Sequence, residues 1–186
     1  MSDGPHKSLP MRNGWRKLAE RAANSNFAPT EISEATRSCW QDNRHVSVEG
    51  KRRQCGICAA CMLRRLSVHA AGLQEDKNTY VWADLAASSF EAAAPSTLAR
   101  IEKVQKEYAL AGTLQLDHLA WLKQSPLGEY VLKTNASRLE KPLKISNSEA
   151  RANLDSLLSQ HQKEWKSFVD SLGPRSFIRN WAEQSS

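Results

Sequence analysis

The chain has 186 residues, 40 % of them hydrophobic and 25 % charged, with a formal net charge of +6. These are ordinary values for a globular protein of one domain, or of one domain with a satellite. Apolar runs are only a few residues long, which excludes a membrane-spanning segment of about 20 residues. The first residues, Met1 to Lys7, contain no apolar core of a secretory signal, so the expected compartment is the reducing cytosol. There, clustered cysteines are expected to be metal ligands rather than disulfides. The charge is uneven: residues 1–72 hold 12 Lys/Arg against 6 Asp/Glu, and residues 73–186 hold 14 of each. A basic bias of this size suits a solvated surface or contact with nucleic acid, nucleotide phosphates or an acidic partner.

In chain order, Gly4, Pro5 and Pro10 mark a flexible lead-in. Trp15, Leu18, Ala19 and Ala22 recur at helical spacing and predict a helix over 11–24. Residues 25–54 are mixed and polar, with Val46-Ser47-Val48 as a strand candidate. Lys51-Arg52-Arg53 is a short basic run. A helix is expected from Cys58 to about Ala71, stopped by Gly72. Tyr80-Val81-Trp82 is the second strand candidate.

Beyond residue 82 cysteine disappears and helical periodicity takes over. Ser96 is the expected N-cap of a helix carrying Leu98, Ile101, Val104 and Tyr108, ended by Gly112. Leu116, Leu119, Ala120 and Leu122 mark the next helix, closed by Pro126 and Gly128. Tyr130, Val131 and Leu132 fit helix or strand. Ser148 is the expected cap of a long helix with Leu154, Leu157, Leu158, His161, Trp165, Phe168 and Leu172, stopped by Gly173-Pro174. Its stripe suits core packing or a partner groove. A last short helix carries Phe177, Ile178 and Trp181. The expected fold is mostly α: a small zinc-stabilised domain over 1–82, then a helical domain of four or five helices over 83–186. No alternating strand–helix pattern for a complete Rossmann-like nucleotide-binding domain is visible.

The chemistry lies in the four cysteines, spaced C-x15-C-x2-C-x2-C as Cys39, Cys55, Cys58 and Cys61. Four soft thiolates at tetrahedral corners close a structural zinc site, and Gly56 relaxes the backbone where the chain must curl around the ion. An iron–sulfur cluster uses the same ligand set. No further cysteine is left for a nucleophile. His45 lies nearest the cluster and fits a substitute ligand or a solvated loop. His69 and His161 fall on helices and read as packing or surface residues, and no catalytic residue is expected. Arg64, on the helix after Cys61, suits either a phosphate contact or a carboxylate partner. Lys51, Arg52 and Arg53 can track a nucleic-acid backbone, although no aromatic side chain interleaves them as a stacking platform requires. A solvated loop is the other reading.

Thr36-Arg37-Ser38-Cys39-Trp40, followed by Cys55-Gly56-Ile57-Cys58-Ala59-Ala60-Cys61-Met62-Leu63-Arg64, resembles the C-terminal zinc segment of the 7-cyano-7-deazaguanine synthase (QueC) family. That segment reads T-x-S-C-[YW], then C-G-x-C-x-x-C-x-x-R. Ala71-Gly72-Leu73, Asp76 and Tyr80 are similar to its closing A-G-x…D-x-T-x-Y, with Thr79 one residue late. The likeness covers roughly residues 10–82. It implies an ATP-dependent ligase system that converts 7-carboxy-7-deazaguanine and ammonia into 7-cyano-7-deazaguanine, on the way to queuosine. In that family an S-G-G-x-D-S loop on a separate domain adenylates the carboxylate, and the zinc segment braces that domain. The loop is missing here: no two of the eight glycines lie closer than six residues. The resemblance therefore implies that ATP is bound by a separate domain or chain, and that this chain alone is not an active synthase. The helical sequence after the motif resembles that of divergent QueC-like proteins of bacterial antiphage defence. A zinc-dependent nucleic-acid or protein-interaction module is the alternative expectation.

Overall fold

The structure is a computed structural model and describes residues 39, 47–48, 51–98 and 100–183. It begins with a small antiparallel hairpin, β1 (Ser47–Val48) and β2 (Lys51–Arg52), in register Ser47 to Arg52 and Val48 to Lys51. Five helices follow among the described residues: α1 (Ala59–Ala70), α2 (Lys103–Trp121), α3 (Gly128–Leu143), α4 (Asn147–Ser171) and α5 (Phe177–Glu183). The fold is mostly helical, as its periodicity predicts. The predicted helix over 11–24, and Thr36, Trp40, His45 and Val46, lie outside the described residues.

Helix α1 starts where a zinc knuckle would start it. Cys58, in extended conformation, is the N-cap residue, and Gly72 beyond the end adopts φ +69°. Its inward face is Cys61, Met62, Leu66 and Val68, with Arg64 among them. Helices α1, α2 and α4 pack on one another, and α3 leans on α4. One hydrophobic cluster runs through them, from Cys55, Ile57 and Met62 to Leu116, Trp165, Phe168 and Ile178. The irregular stretch after residue 82 belongs to it. Trp82 stacks on Phe90 (ring centroids 5.3 Å apart), and Phe90 meets Phe177 edge-on at 6.0 Å. The buried Ser176 hydroxyl donates to the Leu85 carbonyl (2.7 Å), and the Phe177 amide to Ala87 (2.9 Å). These bonds satisfy loop carbonyls that burial would otherwise leave orphaned.

Several boundaries differ from the sequence reading. Ser96 caps no helix. Helix α2 starts at Lys103 behind a capping box in which Glu102 and Gln105 satisfy each other's backbone amides. Val104 and Tyr108 are exposed on this helix, and Gln105, Ala109, Thr113 and Leu116 face inward. Gly112 does not end the helix but sits inside it. Gly128 does not close a helix but begins α3, which settles Tyr130–Leu132 as helical. Ser146, not Ser148, caps α4, accepting from the Glu149 amide at 3.2 Å. Tyr80–Trp82 forms no strand of its own but makes one parallel bridge, Gln54 to Tyr80.

Candidate metal centre

The loop before α1 is folded back by the segment after it. Gln54 donates to the Thr79 carbonyl (2.9 Å), Val81 donates to Gln54 (2.8 Å), and Trp82 donates to Cys55 (3.0 Å). Gly56 makes the tight return with φ +84°. A β-carbon there would lie 2.7 Å from the Trp82 carbonyl oxygen, so only glycine fits. This turn directs Cys55 and Cys58 to the same side, and Cys61 joins them from the first turn of α1.

Cys39 completes the group: one sulfur from each of the four cysteines can be taken so that all lie within 4.8 Å of one another. The Cys55 and Cys61 sulfurs are 3.7 Å apart. A zinc ion about 2.3 Å from each sulfur sets tetrahedral sulfurs about 3.8 Å apart, so this spacing fits one ion. The thiols are unpaired by disulfides. Backbone amides already point at the sulfurs: Cys55 N–H at Cys39 Sγ (3.2 Å) and Cys58 N–H at Cys55 Sγ (3.3 Å). Such donors stabilise thiolate charge, as does the positive end of α1 beneath Cys61. Three of the cysteines are buried and Cys39 is half-buried. The donor set would fill every position of a four-coordinate metal with protein, the ligand pattern of structural sites.

The electrostatics show why a cation belongs there. The hydrogen bond with the Cys55 side chain is the main influence that brings Cys39 down to about 6, against the opposing effect of Cys58. Cys55 and Cys61 are pushed strongly upward, first by hydrogen bonding with Cys39, then by their other cysteine neighbours and by burial. Thiols this close cannot all ionise beside one another. A bound divalent cation would remove that conflict, taking all four as thiolates.

Behind the cluster, Arg64 and Arg65 brace the knuckle from two sides. Arg64 is buried and donates from Nε to Glu75 Oε1 (3.1 Å) and to the Tyr80 hydroxyl (3.2 Å), while that hydroxyl donates to Glu75 (2.5 Å). Of the two readings of Arg64, the geometry is that of the carboxylate partner. Arg65 donates from Nη1 to the Trp82 carbonyl (2.8 Å) and from Nη2 to Ala83 (2.6 Å), with its guanidinium 4.5 Å over the Tyr80 ring. Two backbone carbonyls and a ring face thus hold the 80–83 strap against α1. Sequence reasoning missed Glu75 and the Arg65 clamp. The signal for the first is an acid just past the Gly72 stop, eleven residues after an inward arginine.

Lys51 and Arg52 lie on β2, the strand that leads into Cys55, and Arg53 is half-buried beside it. The histidines of the helices stay out of the centre. His69 meets the Ser167 hydroxyl (3.2 Å) and the Phe168 ring edge, and His161 reaches the Leu116 carbonyl (2.9 Å). No helix among the described residues is long and apolar enough to cross a membrane. The chain matches no protein-family model, no curated protein and no solved structure.

Proposed function

We propose that the four cysteines hold one structural zinc ion and that the chain is the zinc-braced, helix-rich part of a QueC-like ligase whose ATP-binding half is supplied by another domain or polypeptide. The observation that carries the zinc reading is the convergence of Cys39, Cys55, Cys58 and Cys61 within 4.8 Å, with amides aimed at two of the sulfurs. The family reading rests on the motif residues. Gly56, Arg64 and Tyr80, which carry the resemblance alongside the cysteines, all serve the knuckle: Gly56 by its close fit under Trp82, Arg64 and Tyr80 through Glu75. In this reading the knuckle is a brace, and the adenylation of 7-carboxy-7-deazaguanine and the ammonia step belong to the partner.

Elemental analysis of the wild type and of Cys58→Ser tests the first half: one zinc per chain, lost in the variant together with the structure of residues 54–82, is the expected result. Iron with visible charge-transfer absorption, or no metal and four reactive thiols, would remove the zinc reading. Co-expression with a synthase domain bearing S-G-G-x-D-S tests the second half. A stable complex that restores nitrile formation supports it, and a zinc-loaded chain that forms no such complex sinks it while leaving the metal centre intact.

A further inference from the structure

Among the described residues, the carboxylates of helix α3 are engaged while its cations are not. Both of its carboxylates are engaged by side chains of the following helix: Glu129 takes Arg151 at 2.5 Å, and Glu140 accepts from the Asn147 side chain. Its cations Lys133, Arg138 and Lys141, and Lys144 just beyond its end, have no ion pair among the described residues. Most cations elsewhere in the bundle (Lys103, Lys106, Lys123, Arg151, Lys166 and Arg179) each have a carboxylate within 3.5 Å, whereas Lys163 and Arg175 have none among the described residues.

At about 100° per residue, Tyr130, Lys133, Thr134, Ser137, Arg138 and Lys141 fall on one outward face, while Leu132 and Ala136 face inward. Five of them line an open groove of about 460 Å³. Tyr130 is 68 % exposed, and no other ring lies against it among the described residues. The face thus combines a free aromatic plane and three cations; the Ser137 hydroxyl within it donates to the Lys133 carbonyl and accepts from the Asn147 side-chain amide, and Glu140 at its edge is held by that same amide.

We propose that this outward face of α3 is a binding surface for single-stranded nucleic acid, with a base stacked on Tyr130 and the phosphate backbone along Lys133, Arg138 and Lys141. The charge complementarity is that of a polyanion: unpaired cations are strung along a face whose span from Tyr130 to Lys141 is about 17 Å of helix. A stacking ring beside a basic groove is the arrangement that binds single strands without reading sequence. An anionic membrane is the poorer fit, because the centre of the face is hydroxyl-bearing and the exposed Leu127 and Leu143 stand at opposite ends of the helix with no apolar stripe between them. The inference does not depend on the zinc or ligase readings.

The test is fluorescence anisotropy of the full zinc-loaded chain with labelled oligothymidylate and oligouridylate across a salt series. Vesicles of phosphatidylcholine with phosphatidylserine serve as comparator. With these three cations engaged, log K against log salt should fall with a slope of about −2.1. The K133E/R138E double variant, with unchanged circular dichroism, should bind at least about tenfold more weakly and with a slope shallower by about 1.4. Tyr130→Ala should weaken binding roughly five- to a hundredfold at unchanged slope. Absence of binding at low salt would overturn the proposal. So would K133E/R138E binding like the wild type, whether or not neutralising Lys51, Arg52 and Arg53 removes binding, and so would capture by the vesicles alone.

Discussion

Gly112, in the middle of α2, lies against Ala59, the first residue of α1: a β-carbon at 112 would stand 3.0 Å from the Ala59 nitrogen and 3.4 Å from the Cys58 carbonyl carbon. The helical bundle therefore touches the metal knuckle at its most constrained point, one residue from a ligand. Alanine at 112 would gain up to about 1 kcal/mol of helix propensity. It would also wedge α2 away from the backbone that leads into the cysteine knuckle, and overpacking of this kind costs about 1–3 kcal/mol. Gly112→Ala is expected to be less stable by about 1 kcal/mol on balance and to lose zinc faster to a chelator. A variant that melts higher and holds its metal as long as the wild type would show that the two units are not packed this closely.

The Arg64–Glu75 pair gives a second expectation. The two side chains are 4 % and 12 % exposed. Removing one partner of a pair this deeply buried leaves a stranded charge and costs about 3–5 kcal/mol. Arg64→Ala and Glu75→Ala should each lower the urea midpoint strongly, and the double variant should cost much less than their sum. Arg64→Lys should recover only part of the loss, since an ammonium cannot reproduce the Nε geometry that serves Glu75 and Tyr80 together. If Arg64→Ala unfolds like the wild type, the residue is free for a phosphate after all.

The cysteine cluster, α1, α4 and α5 are legible in the sequence because each is fixed locally: by ligand spacing, by an apolar stripe, by the glycine stops at 72 and 173, both of positive φ. What was illegible depends on tertiary contact. Gly112 looks like a terminator because nothing in the chain announces that Ala59 will press on it. Val104 and Tyr108 continue the spacing of Leu98 and Ile101, but those two lie before α2 begins, so the spacing does not mark the inward face of that helix. Ser148 outbid Ser146 as a cap, although Glu149 stands three residues after Ser146, the capping-box spacing. In the site, the four cysteines that converge could be named from spacing alone. Arg64 left two readings open, and Glu75 went unnoticed, because the chain between α1 and Tyr80 has no periodicity from which to infer the fold-back.

Metal binding should be coupled to protons. With Cys55 and Cys61 pushed upward in the metal-free cluster, taking the cation means expelling their protons. Apparent zinc affinity, measured by chelator competition, should therefore fall steeply between about pH 8 and about pH 6. Isothermal titration in buffers of different ionisation enthalpy should show protons released on binding. An affinity flat across that range would mean that the sulfurs are already ionised before the metal arrives, against the crowding of four sulfurs within 4.8 Å.

Tyr80 sets an alkaline limit. Burial first, and then donation of its hydroxyl to Glu75, raise its ionisation well above the ordinary tyrosine value. An acid whose folded value is raised favours its neutral form in the fold. Its contribution is fully present below the unfolded value of about 10 and is lost as pH climbs above it. At neutral pH, Tyr80→Phe should be the less stable protein, by about 1–3 kcal/mol, because it leaves Glu75 and Arg64 short of a partner. Above pH ~10 the wild type should lose stability faster than the variant, by up to about 1.4 kcal/mol per pH unit, so that the gap between them closes. Urea unfolding across that range, with the tyrosinate absorbance followed alongside, reads both curves. Parallel curves would mean that the Tyr80 hydroxyl meets solvent and that the Arg64–Glu75–Tyr80 brace is open.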